Sequence, residues 1–157
     1  MFRYIMTIGV AMIAVLSSQA QIVVPAFSFK TLEDKVYTNE NLDLNRPTMI
    51  MNYDPYCDHC NEQAEIIKAA AEKFVDKKVH FVFVTFIPEK DAINEFMNKH
   101  FAGTKLTYTF LLDADIKFEN YFGYSDDAIN IFLYKPGQKK AKYFGEEQTA
   151  ETLLKYL

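Results

Sequence analysis

The chain holds two cysteines, and they stand together as Cys57-Asp58-His59-Cys60. Ahead of them, Thr48-Met49-Ile50-Met51-Asn52-Tyr53 reads as a buried strand that Asp54-Pro55-Tyr56 breaks. Behind them, Ile67, Ala70, Ala71 and Phe74 recur at i, i+3, i+4 and i+7. That is the apolar stripe of a helix beginning near Cys57, with Glu62, Glu65, Lys68 and Glu72 turned to water. A strand, a short loop, a C-x-x-C and a helix, in that order, leave few folds open. They place Cys57 at a helix N-terminus and Cys60 one turn inside it.

The rest of the chain alternates strands and helices. Phe27-Ser28-Phe29-Lys30 and Val36-Tyr37 flank Glu33-Asp34-Lys35 as a small hairpin. Val79 to Ile87 is long, β-prone and almost wholly apolar, as suits a central strand covered on both faces. Pro88-Glu89 opens a second helix through Asp91 to Phe101, which Gly103 ends, and Thr107 to Leu112 is the next strand. A short helix is expected from Ile116 to Phe122. Two strands, Ile129 to Tyr134 and Ala141 to Phe144, are joined by the turn Lys135-Pro136-Gly137-Gln138, and Thr149 to Leu157 closes as a helix. The pattern implies an α/β fold, a central mixed sheet flanked by helices.

The first twenty residues read as a secretory leader. Arg3 gives a positive start, Tyr4 to Leu16 is apolar, and Ser18 and Ala20 are small residues suited to cleavage before Gln21. The expected organisation is a signal peptide over residues 1–20 and a single domain over residues 21–157, periplasmic or secreted and without stable membrane insertion after cleavage. The net charge is −4 and no basic run occurs, which argues against a nucleic-acid partner. Export would place the thiols where disulfides persist, so a solitary C-x-x-C there calls for a redox partner.

Three uses of the pair can be weighed. A structural staple is the weakest, because so small a loop removes little entropy from the unfolded chain. In the redox reading, the free N–H groups and dipole of the helix N-terminus stabilise the Cys57 thiolate, which attacks, and the more shielded Cys60 resolves. His59, when charged, would make the disulfide more oxidising, and Asp58 would oppose it. In the metal reading, the two thiolates with His59 or a distal His100 would hold Cu(I) or Zn²⁺. A peroxide-reducing centre usually has a threonine near its cysteine, and Asp54-Pro55-Tyr56 supplies none. His80 opens a strand and His100 closes a helix, where a histidine suits the dipole. Tyr108, Phe110, Phe118, Tyr121, Phe122 and Tyr124 read as core.

Three segments carry a resemblance: Pro25-Ala26-Phe27-Ser28-Phe29, Arg46-Pro47-Thr48-Met49, and Tyr53 through Cys60. Together with Ile129-Asn130-Ile131-Phe132-Leu133-Tyr134-Lys135-Pro136-Gly137, they make the chain similar to exported bacterial thioredoxin-like thiol-disulfide oxidoreductases of the TlpA/redoxin branch. The resemblance implies a thioredoxin-like fold with an N-terminal β-hairpin extension and catalysis by Cys57 and Cys60. It implies no small-molecule cofactor. The implied partners are cysteine-containing exported proteins and a membrane or periplasmic redox partner. Tyr56 occupies the family's aromatic position before the first cysteine, where it would cover the disulfide or cap the loop.

The chain departs from the family twice. Asp127-Ala128 stands where the family has a cis-proline; the five prolines, Pro25, Pro47, Pro55, Pro88 and Pro136, lie elsewhere. A cis bond without proline costs about 2.5–4 kcal/mol, so a trans or reshaped loop is expected. The positions of the family's buried carboxylate match Met51 and Gln63, with Asp54, Glu62 and Glu65 as nearby acids.

Overall fold

The computed structural model describes residues 24–123, 129–138 and 140–157. The leader over residues 1–20, and Tyr124, Asp127 and Ala128, lie outside the described residues.

The described strands are β1 (Ser28–Thr31), β2 (Val36–Thr38), β3 (Thr48–Asn52), β4 (His80–Thr85), β5 (Thr107–Leu112), β6 (Ile131–Tyr134) and β7 (Lys142–Phe144). They form one mixed sheet in the order β2-β1-β5-β4-β3-β6-β7. The run expected to be central, β4, is the middle strand, and all six of its residues are buried. It pairs in parallel with β3 (Thr48 opposite His80) and with β5 (His80 opposite Thr107). β6 runs antiparallel to β3, and β7 antiparallel to β6. The N-terminal hairpin is present, and β1 also joins the sheet against β5, with Lys30 opposite Leu112.

Because side chains alternate across a strand, each central strand feeds two cores. Met49, Met51, Phe81, Phe83, Ile131 and Leu133 face one side. There they pack on the helices α1 (Asp58–Ala69), α2 (Ala71–Asp76), α3 (Lys90–His100) and α5 (Ala150–Lys155), through Ile67, Phe74, Ile93 and Leu153. Ile50, Val82, Val84, Phe132 and Tyr134 face the other side, which Phe27, Phe29 and α4 (Phe118–Phe122) cover. The aromatic group read as core is divided between them. Tyr108 and Phe110 belong to the first side, and Phe118, Tyr121 and Phe122 to the second.

Two helices differ from expectation: α4 starts at Phe118, because Ile116 has a φ of 54° outside the helical region, and the long helix is interrupted. The helix after Cys57 breaks at Ala70, whose φ of −106° and ψ of 17° leave the helical region. Ala69, Ala70 and Ala71 are good helix formers, so propensity gives no warning. The break lets both arms bury their apolar residues: Ile67 and Phe74 are each fully buried, and Phe74 meets Phe81 edge-on at 5.3 Å.

Candidate active site

β3 ends at the carboxyl edge of the sheet, between a parallel and an antiparallel neighbour, and the chain leaves it through Tyr53. The Tyr53 backbone N–H donates to the Val84 carbonyl at 2.9 Å, and its ring packs against Phe96, Phe110 and Phe83 at 4.8, 5.5 and 5.9 Å. The next residues turn sharply. The Asp54 carboxylate accepts the Tyr56 N–H at 2.8 Å, and the Asp54 carbonyl accepts the Cys57 N–H at 3.1 Å. An Asx turn of this kind needs the side-chain oxygen of an aspartate or asparagine at its first position.

Cys57 is the N-cap of α1, with extended φ of −83° and ψ of 125°. Its sulfur accepts the Cys60 N–H at 3.4 Å, the place a serine or aspartate oxygen usually takes. Both cysteines are free thiols, Cys57 half-buried and Cys60 only 5% exposed. The Cys60 sulfur accepts the Asp54 N–H at 3.4 Å. Burial pushes the Cys60 thiol up to about 12, and the bond to Cys57 and the charge there act the same way; the Asp54 N–H works against them. The two sulfurs therefore differ: one accessible at a helix N-terminus, the other desolvated and protonated.

The other expected site residues are distributed around this pair. Asp58 and His59 are exposed, and His59 Nδ1 meets Glu147 Oε1 at 2.5 Å. Tyr56 bonds the loop only through its backbone, and its side chain stands out into solvent at 66% exposure. Met51 is core. Gln63, fully buried, is a clamp: its amide donates to the Gln148 carbonyl at 3.1 Å and accepts the Gln148 N–H at 2.7 Å. Glu62 and Glu65 are exposed. His80 is buried with Nε2 on the Thr109 hydroxyl. His100 is fully buried, with ring nitrogens on Glu65 and Asn61.

For a metal, the described residues bring together His59, Glu62 and Glu147, whose ligand atoms lie within 4.8 Å of one another, a group that contains neither cysteine. The thiolate-plus-histidine set weighed from the sequence is not assembled there, because His59 turns to the carboxylates and His100 to Glu65 and Asn61.

Sequence reasoning missed Asn61, Glu147 and Gln148. The signal for Asn61 was weak but present: a side-chain amide directly after a C-x-x-C, in the first turn, where free backbone groups lie within its reach.

A dithiol set where a sheet strand runs into a helix N-terminus, on this strand order, defines the class as a thioredoxin-like oxidoreductase. The Redoxin family model matches residues 9–135, and the chain belongs to the redoxin family. Among solved structures it is similar to DsbF of Mycobacterium tuberculosis, at 24% identity and a TM-score of 0.68, covering 86% of this chain and 96% of that one. A secreted Mycobacterium tuberculosis disulfide oxidoreductase homologous to Escherichia coli DsbE matches at 20% identity and a TM-score of 0.64, over 83% and 96% of the two chains. StoA of Bacillus subtilis matches at 18% and 0.61, over 87% and 98%. At these identities the likeness establishes the shared fold. No curated protein matches the chain.

Proposed function

We propose that this redoxin exchanges its Cys57–Cys60 dithiol and disulfide with cysteines of exported proteins, outside the cytoplasm and after removal of residues 1–20. The observation that carries the reading is the asymmetry of the two sulfurs. Cys57 is half-exposed at the start of α1, whereas Cys60 is buried and held protonated. No helix among the described residues is long and apolar enough to cross a membrane.

In the reductive direction the Cys57 thiolate attacks one sulfur of a substrate disulfide. That S–S bond breaks, a bond from Cys57 forms, and the leaving sulfur takes a proton. Cys60 then loses its proton and attacks the Cys57 sulfur, releasing the substrate's second thiol and closing the Cys57–Cys60 disulfide. The substrate gains two electrons and the protein loses them; oxidation of a substrate dithiol is the same path reversed. The first step also prepares the second. Once Cys57 is in a mixed disulfide its charge is gone, which removes one cause of the raised Cys60 affinity for its proton. The Asp54 N–H remains to stabilise the negative charge that develops on Cys60 as its proton leaves.

Asp58 and His59 border the attacking sulfur and tune its potential, and the Glu147 carboxylate on His59 Nδ1 offsets the imidazole's charge when the ring is protonated. A membrane or periplasmic thiol carrier resets the pair. The test is trapping. Cys60→Ser should retain mixed disulfides on Cys57 from a periplasmic extract, resolved by non-reducing electrophoresis and mass spectrometry, and Cys57→Ser should retain almost none. A Cys60→Ser protein that captures no more than Cys57→Ser contradicts the assignment.

A further inference from the structure

Asn61 is bonded on both sides of its amide. Its Nδ2 donates to the carbonyls of Pro55, at 3.1 Å, and Cys57, at 2.9 Å. Its Oδ1 accepts from Lys99 Nζ and from His100 Nε2, each at 2.9 Å. The chemistry of the partners fixes which way the amide points. Carbonyls can only accept and an ammonium can only donate, so a flipped amide would lose its bonds to Lys99 and to both carbonyls.

His100 meets the same amide oxygen. It is fully buried at the last turn of α3, its ring against Phe96 at a centroid distance of 4.6 Å, with Nδ1 on Glu65 Oε1 at 2.8 Å. Asn61 Oδ1 and the Glu65 carboxylate both accept, so only the protonated ring donates to both, and the neutral ring donates to one of them. Lys68 ties the same two helices, donating to the Lys99 carbonyl at 2.8 Å. The end of α3 is thus fastened to the first turn of α1, and through Asn61 to the loop that carries Cys57.

We infer that Asn61 is a positioning residue for the Cys57 thiolate and that His100 acts on the site through it. The inference rests on the reading of Cys57 as the attacking sulfur. The Pro55 and Cys57 carbonyls bracket the loop on either side of Tyr56. Pinning both to one amide holds Cys57 as N-cap with its sulfur on the Cys60 N–H. It also engages the Pro55 carbonyl oxygen, whose negative end would otherwise be free to turn toward the developing thiolate, and adds a second donor to the Cys57 carbonyl, which already accepts the Asn61 N–H at 3.1 Å. Leucine at 61 keeps the volume and removes all four bonds. The loop would then sample arrangements in which the sulfur leaves the helix N-terminus and loses that stabilisation.

The test is a double-mutant cycle on the first chemical step. In a Cys60→Ser background, the rate at which Cys57 attacks the aromatic disulfide DTNB is measured for the parent, Asn61→Leu, His100→Phe and the double variant. Unfolding curves establish that each is folded at the assay temperature, and Asn61→Ala replaces Asn61→Leu if that variant does not fold. Asn61→Leu should slow attack at least about fivefold, the factor one net hydrogen bond is worth. His100→Phe should slow it by less, and the double variant should be no slower than Asn61→Leu alone, because His100 acts only through Asn61. A merely structural pair would destabilise the fold and leave the rate of the folded protein unchanged. An Asn61→Leu rate equal to a fast parent rate overturns the positioning role and leaves Cys57 as nucleophile. Multiplying effects overturn the link through His100. If the parent reacts no faster than the urea-unfolded chain, the nucleophile assignment fails, and this inference fails with it.

Discussion

His80 is the first residue of β4, 8% exposed, with its ring nitrogen on the Thr109 hydroxyl at 2.9 Å. Burial lowers its pKa to about 4, the Arg46 charge pushes the same way, and Asp43 opposes them. The unfolded chain therefore takes up this proton first as the pH falls. The stabilisation is intact above about 6.5 and is lost as the pH drops through about 4. We predict that the wild-type protein loses about 2 kcal/mol between pH 7.5 and pH 4.5 from this residue, at about 1.4 kcal/mol per tenfold in proton affinity. Urea titrations at the two pH values should show that loss shrinking in His80→Gln; an unchanged loss assigns the acid sensitivity elsewhere. His100, also lowered by burial, adds to the same trend. At this scale the two cysteines were legible as a candidate pair, because their spacing is local. Asn61 and the His100 contact were not, since those partners lie 39 residues apart and meet only when α1 and α3 pack.

The element that presents the thiols is held by its own N-cap, by Asn61 and by Gln63, and farther along by Glu65 and Lys68. The Gln63 clamp joins α1 to the backbone of Gln148, just ahead of α5, across 85 residues of chain. Gln63→Leu would remove both bonds and leave a backbone N–H and C=O without them. The expected cost is about 2–4 kcal/mol, from two lost hydrogen bonds and the desolvation of their partners. A urea midpoint that barely moves would show the clamp to be dispensable. Gln63 stands where the resemblance places a buried carboxylate, and its role here is to fasten elements. Strand and helix identities were legible in the sequence because alternation and the 3.6-residue stripe are properties of short windows. The break at Ala70 was not, since three alanines favour helix and only the packing of Ile67 and Phe74 on the sheet requires the bend.

For the whole molecule, the sheet order sets what the local signals could not. β1 crosses to pair with β5, so the N-terminal hairpin extends the sheet at the edge away from β6 and β7. Phe27 and Phe29 then cover the face opposite α1, leaving the thiol-bearing helix on the other side. The central strand was legible, because a run without polar alternation has to be covered twice. The pairing of β1 with β5 carries no local mark. The cysteine pair sits at the carboxyl edge of this scaffold, where β3 runs into α1.

The most direct test is to equilibrate the purified, metal-free protein with thiol buffers of graded potential and quantify free Cys57 and Cys60 by mass spectrometry. Reversible exchange predicts one two-electron transition, with both thiols lost together, between about −270 and −120 mV, the range of thiol oxidoreductases. A pair that cannot be cycled, or cysteines that oxidise independently, would contradict it.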